Sequence, residues 1–496
     1  MKKSNTLPSL ELSTILLFII GNVCFFITNV SWDSIQKFEK DTITQLINIY
    51  GILGILVTLL IFRSWKKISG FYFSPYTIFF MFILIFNYGQ FIMWSLGIHY
   101  KGELGTTTFI RYMDSVTLLK IEMITIVCII FFHIGASISV KVKGTKITFK
   151  NYSKEAFCKA MGVVSPIILV FSFSIVMYEA LMSLKVAISY GYSALYYGDQ
   201  ASTLNPLFKY ISYMFFPSLI GTWIGNRLSK KSFYLISCLF LMYMTVNMLS
   251  GDRGSWIYYL IILVWCYLNY IKKPKLGTVL KVIVPFALVI SITSVLVKFR
   301  EIGFNNITSN EFGEVLKDLP FIFIKPFFEM GQSARVLGII LQDNLYETWE
   351  YGNTYVAAIL GMVLPRTKVW FGYPDFYLEN WISQSYLFLE HYGVGFSIVA
   401  EAYLNGGLLF SPIIMMIIGG VMGKILLVRK DLLINQPEKL FFTLSSLGAL
   451  LPICRGSVEL GLRIWFFGVV IPLFLYYILV GLMKKTSSIQ GRESNE

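Results

Sequence analysis

The sequence predicts an all-α polytopic integral membrane protein with about twelve transmembrane helices, and three observations carry that prediction. Hydrophobic residues make up 56% of the 496 positions and charged residues only 14%, against roughly 45–50% and 25% in soluble globular proteins. Apolar runs of about the length needed to cross a bilayer recur from one end of the chain to the other. Basic residues collect in every second connection between those runs, the pattern that the positive-inside effect produces. Length alone suggests about three soluble domains, but the regular recurrence of apolar runs makes one continuous helical bundle the simpler reading.

The expected spans lie at 12–30, 45–62, 75–97, 117–139, 161–183, 205–225, 232–249, 255–271, 278–298, 397–423, 439–454 and 462–483. Lys2 and Lys3 precede the first run without a clear small-residue cleavage site after it, so it reads as a span and not a removed leader. One side takes Arg63, Lys66 and Lys67, the lysines from Lys141 to Lys159, Arg227 with Lys230 and Lys231, and Lys272, Lys273 and Lys275. The same side takes Lys424, Arg429 and Lys430, then Lys484 and Lys485. That side is expected to be cytoplasmic, with both termini on it. The chain divides into a transmembrane bundle of about nine spans over 1–298, a large extracytoplasmic loop with amphipathic helices over 299–396, and a bundle of about three spans with a short cytoplasmic tail over 397–496.

The net charge of +14 follows from these basic connections and not from a nucleic-acid face. Six cysteines fall in or beside spans, so they imply neither a disulfide framework nor a zinc site, and three histidines are too few for a His-based metal centre. Walker, dinucleotide and Gly-x-Ser-x-Gly motifs are absent from the sequence. No cofactor is expected.

Within the long loop, 321–341 is apolar but carries Lys325, Pro326, Glu329 and Arg335. A charge at a membrane centre costs about 2.5–3.5 kcal/mol on insertion scales. Lys325, Glu329, Gln332 and Arg335 share one face of a helical wheel opposite a Phe/Ile stripe, which predicts an interfacial or re-entrant amphipathic helix.

Arginines on the expected outer face are the candidate anion ligands. Gly251-Asp252-Arg253-Gly254 is a tight turn, and a helix starting near Ser255 would place unpaired N–H groups beside the Arg253 guanidinium. An Asp–Arg turn that merely anchors a hairpin explains the same residues. Arg300, Arg335 and Arg366 join the face from the long loop; each alone reads as solvated, whereas several together suit one anionic ligand. Ser397, Glu401 and Asn405 recur at i, i+4 and i+8 on one helix face, and a carboxylate so near the bilayer is a functional candidate. Pairing of Glu401 with an outer arginine is the structural alternative. His391, just before this helix, is the second proton-transfer candidate. Arg455, Glu459 and Arg463 read as a self-neutralising stripe.

Along nearly the whole chain this pattern resembles the O-antigen and capsule polysaccharide polymerases called Wzy. The resemblance is most local at Gly251-Asp252-Arg253-Gly254, at Ala400-Glu401-Ala402-Tyr403-Leu404-Asn405-Gly406-Gly407 and at the aromatic segment Tyr190-Gly191-Tyr192-Ser193-Ala194-Leu195-Tyr196-Tyr197. It implies a GT-C-like membrane glycosyltransferase that joins oligosaccharide repeat units carried on undecaprenyl pyrophosphate. The expected place is the outer face of a bacterial cytoplasmic membrane, with no nucleotide sugar and no obligatory metal. Membrane lipids, and a flippase and chain-length regulator of the same pathway, are the implied partners; nucleic acid is not. In that chemistry Arg253, Arg300, Arg335 and Arg366 would hold the pyrophosphate, and Glu401 or His391 would take the acceptor proton. A lipid-linked oligosaccharide flippase is the main rival, although no repeat between halves is visible. An O-antigen-ligase-like glycosyltransferase is the other.

Overall fold

The computed structural model describes residues 12–106, 110–141, 153–190, 205–252, 254–272, 324–348, 352–363, 367–373, 377–389, 393–428 and 436–493. All regular structure among them is helical. In chain order the helices are α1 Leu12–Ser31, α2 Lys40–Ser69, α3 Pro75–Ser95, α4 Ser115–Lys141, α5 Lys154–Tyr190, α6 Pro206–Ser212, α7 Phe215–Gly225, α8 Lys230–Ser250 and α9 Ser255–Cys266. They continue with α10 Lys325–Gly331, α11 Ala334–Gln342, α12 Asn353–Gly361, α13 Thr367–Trp370, α14 Leu378–Asn380, α15 Ile398–Ile425, α16 Pro437–Leu450, α17 Val458–Trp465 and α18 Ile471–Glu493.

Eight helical segments among the described residues are long and apolar enough to cross a membrane: α1 to α5, α8, α15 and the stretch Val458–Lys484. They match eight of the twelve expected spans. Of the other four, 205–225 is broken into α6 and α7 at Tyr213 and Met214, where Pro217 in the first turn of α7 offers no N–H to the Tyr213 carbonyl. The 255–271 stretch is a shorter apolar helix, Trp256–Ile271. The 439–454 run falls in the fourteen-residue α16 and the 3-10 turn after it, Leu451–Cys454, which contains Pro452. The 278–298 run lies outside the described residues, as does 191–204 with most of its tyrosines.

The chain forms two compact units that interleave in sequence. The first comprises Met1–Thr148, Ile324–Lys430 and Pro452–Gly461. Its centre is α3 with α4, both buried along most of their length. Ser74 starts α3 as an N-cap, with Pro75 behind it and Thr77 completing the capping box. Packing is close wherever a glycine faces a neighbour. Gly419 of α15 lies against the Phe132 carbonyl of α4, and Gly135 of α4 against the Met416 carbonyl of α15. The Gly419-x-x-x-Gly423 spacing thus packs helices within the chain. His133 of α4 is fully buried, with Tyr76 Oη 3.0 Å from Nδ1 and the Ser64 and Ser137 hydroxyls each 3.1 Å from Nε2; both ring nitrogens are used structurally.

The second unit comprises Phe149–Phe323, Asp431–Leu451 and Leu462–Glu496. In it Gly221 of α7 lets Ser165 of α5 and Tyr476 of α18 meet, their hydroxyls 2.8 Å apart. Trp465 Nε1 donates to Ser446 Oγ at 2.8 Å.

A cationic cavity and a buried carboxylate cluster

Within 321–341, where one amphipathic helix was expected, the described residues form two short helices, α10 and α11, with the break at Gln332 and Ser333. Gln90 of α3 fixes α10: its Nε2 donates to the Phe328 carbonyl at 2.7 Å, and its Oε1 accepts from Leu104 N–H at 3.0 Å. The connection between α3 and α4 is held against α11 by the same kind of contact. Gln332 donates to the Gly102 carbonyl, and Gln342 to the Tyr112 carbonyl at 3.2 Å.

Lys325, Glu329, Gln332 and Arg335, which share a face on the helical wheel, line one cavity of about 460 Å³. Lys101 reaches it from the α3–α4 connection and Arg455 from the turn after the 3-10 segment, with Tyr100, Ser333 and Val394 also on the wall. Among the described residues, four cations therefore line this space against a single carboxylate. Lys325 Nζ lies 3.4 Å from Glu329 Oε1. Lys101 and Arg455 are exposed. Gly395, at φ +72°, brings the chain beside Arg455, where a Cβ would meet the Arg455 carbonyl at 3.2 Å. The Phe396 N–H donates to that carbonyl at 2.9 Å.

Arg335 is different from the other cations because it is only 2% exposed. Its Nε donates to Gln332 Oε1 at 3.0 Å, and its terminal nitrogens donate to the Leu104 and Arg111 carbonyls. Burial lowers its guanidinium from the ordinary value, yet arginine keeps its proton in proteins. It is a fixed positive charge in the wall. Arg111 in turn grips Asp343 with both terminal nitrogens, and Tyr386 Oη donates to the same carboxylate at 2.7 Å.

Behind the cavity, the turn 456–459 gathers three carboxylates. Glu401 is 1% exposed. One of its oxygens accepts from Thr354 Oγ1 at 2.9 Å and the other from Val458 N–H, at the start of α17, at 2.8 Å. The predicted shared face of Ser397, Glu401 and Asn405 is a buried seam. Ser397 caps α15 by accepting from Ala400 N–H, and Asn405 donates to Thr354 Oγ1 at 2.7 Å. Thr354 and Val458 fill the place that the expectation of an arginine partner had given to a cation. Gly407, at φ +54° and ψ −156°, kinks α15 in a conformation open only to glycine.

Glu379 accepts from Ser457 N–H at 2.5 Å and Ser457 Oγ at 3.0 Å; burial pushes its carboxyl up, against the pull of those two donors. Glu459 pairs with Lys368 at 2.9 Å, both side chains nearly enclosed. This differs from the expected stripe of Arg455, Glu459 and Arg463, since Arg455 turns to the cavity and Glu459 takes a partner about ninety residues away. Lys368 and Glu379 carried no sequence signal, because their partners are set by tertiary contact alone.

Of the remaining expected site residues, Arg253, Arg300, Arg366 and His391 lie outside the described residues. The turn that holds Arg253 does form: Gly251 ends α8 at φ +92°, Asp252 Oδ1 accepts from Gly254 N–H at 2.9 Å, and α9 starts at Ser255.

Long apolar helices define a multi-pass membrane protein, and in it a cavity is lined by lysine and arginine side chains. A family model described as O-antigen polysaccharide polymerase Wzy matches residues 9–486, and the chain belongs to that family. It is thus a multi-pass protein of the inner membrane that polymerises O-antigen repeat units, a glycosyltransferase-type activity on a lipid-linked oligosaccharide. No curated protein and no solved structure matches it.

Proposed function

We propose that the donor is a repeat unit on undecaprenyl pyrophosphate and that its diphosphate sits in the cavity lined by Lys101, Lys325 and Arg455. The observation that carries this reading is the excess of cations over carboxylates, four to one, among the described residues that line the cavity. Fixed cations stabilise the charge that builds on a departing diphosphate without help from a metal. Arg335 contributes its field from the wall, its donors being held by the chain. Arg253, Arg300 and Arg366 are further ligands in this proposal, and His391, two residues from the cavity-lining Gly393, is a second proton acceptor. Glu401 acts through position in this reading: it ties α12 and the start of α17 to α15, and its enclosed carboxylate is a poor base for a substrate hydroxyl.

Charge parity supports the outer face as the place of reaction. The connections on either side of α3 and α4 carry Arg63, Lys66 and Lys67 and the lysines from Lys141, so residues 96–114 between them belong on the opposite side. The fuller proposal has twelve spans in a GT-C-like arrangement, cytoplasmic termini and an extracytoplasmic 299–396. A flippase supplying the donor and a chain-length regulator are its partners. Cysteine at Thr106 or Asn353 is expected to react with a membrane-impermeant thiol reagent on intact cells. Protection of both until the membrane is permeabilised contradicts that face.

The direct test is donor binding by the purified protein in detergent. Removing a hydrogen-bonded charge from a ligand costs about 1.5–3 kcal/mol, so Arg455→Gln and Lys101→Gln are each expected to weaken binding of lipid-linked donor about tenfold or more. Inorganic pyrophosphate should compete with the donor in the wild-type protein. An unchanged affinity in the double variant places the diphosphate elsewhere.

A further inference from the structure

We infer that Glu329 is the catalytic base that takes the proton from the acceptor hydroxyl. The inference rests on the reading of the cavity as the donor-diphosphate site and adds the second half of its chemistry. Glycosyl transfer needs an acceptor for one proton as well as a counter-charge for the leaving group, and among the described residues the cavity wall offers one carboxylate for it. The Glu329 carboxylate is 45% exposed and therefore reachable. Lys325, one turn earlier on α10, holds it at 3.4 Å. The other described carboxylates nearby are occupied. Glu401, Glu379 and Glu459 are buried on the partners described above, and Glu103 accepts from His99 at 2.9 Å and from Tyr100 N–H at 3.1 Å.

The acceptor hydroxyl oxygen bonds to the anomeric carbon of the donor sugar while the bond from that carbon to the diphosphate oxygen breaks. The bonding electron pair leaves with the polyprenyl diphosphate, whose added negative charge faces Lys101, Arg335 and Arg455. The hydroxyl proton passes to Glu329 and then to water. Lys325 bridges the two functions, pairing with the base and facing the same space as the leaving group.

Glu329→Gln keeps size and exposure and removes the base. With purified protein and synthetic lipid-linked donor, the expected result is a fall of about 10²–10⁴-fold in turnover with donor affinity retained. Glu329→Asp should restore part of the rate. Wild-type turnover in Glu329→Gln overturns the assignment, as does a rate loss matched by lost donor affinity. Failure of the diphosphate reading registers separately, as unchanged donor affinity in Lys101→Gln and Arg455→Gln.

Discussion

Gly419→Val is expected to abolish the folded protein, or to leave it melting far below the wild type in detergent. The obstacle to the new side chain is backbone. A Cβ at Gly419 overlaps the carbonyl of Phe132 on α4, a Cβ at Gly135 overlaps the carbonyl of Met416 on α15, and one at Gly423 lies 2.7 Å from the Ala136 Cα. Side chains relieve a bad contact by changing rotamer, but two helix backbones separate only by moving as rods. Overpacking costs about 1–3 kcal/mol when side chains yield, and here the whole α4–α15 seam must part, so the upper end or beyond is expected. The seam includes the part of α15 beyond its kink, and Glu401 and Asn405 lie on the other side of that kink. Displacing the helix therefore disturbs the carboxylate cluster as well. Gly481→Ala in α18 is the control: nothing lies within 4 Å of its Cβ, and alanine in a helix gains about 0.8–1.0 kcal/mol of propensity over glycine. A Gly419→Val protein that elutes as a single species and melts with the wild type would show that the helices do not pack through this seam.

The same residues show how much of the fold a one-dimensional reading reaches. Hydropathy and charge parity locate the long spans because length and polarity are local properties of the sequence. They fail where an apolar window is interrupted by backbone chemistry. The break between α6 and α7 falls at Tyr213 and Met214, just ahead of Pro217, and Pro452 falls in the 3-10 turn that follows α16. A window average counts proline as one weakly polar residue, whereas the helix registers the missing N–H. In the same way, the Gly419/Gly423 spacing announced close packing but not its partner, which the Phe132 and Ala136 contacts identify as α4.

The candidate site divides along the same line. Lys325, Glu329, Gln332 and Arg335 were legible as one face because helical periodicity relates them, and they line one wall of the cavity even though the helix breaks at Ser333. Lys101 and Arg455 reach that space from positions far away in sequence, and no periodicity connects them. Arg455 was drawn toward Glu459 by an i, i+4 spacing that the turn at 455–457 does not continue as helix. Glu401 was conspicuous as a carboxylate at the head of a long apolar helix. The sequence held no sign that the Val458 N–H and the Thr354 hydroxyl would enclose it.

Lys368→Met should be as damaging as the helix-seam substitution, through electrostatics instead of sterics. Lys368 and Glu459 have side chains 3% and 8% exposed and lie 2.9 Å apart. Removing one partner of such a pair leaves an uncompensated charge in a low-dielectric interior, at a cost of about 3–5 kcal/mol. Two neighbours make this site worse than average. Glu379 and Glu401 both converge on the turn 456–459, so the stranded Glu459 would face two further carboxylates. The expected results are a large drop in melting temperature for Lys368→Met and a similar drop for Glu459→Gln with Lys368 retained. Replacing both partners by apolar residues of similar volume, Lys368→Met with Glu459→Leu, removes both charges, and such swaps are often neutral or stabilising in other proteins. The double variant should therefore recover most of the loss, a strong coupling in a double-mutant cycle. If the two single losses simply add in the double variant, the pair does not hold the turn, and the three carboxylates gathered there are stabilised by their hydrogen-bond donors alone.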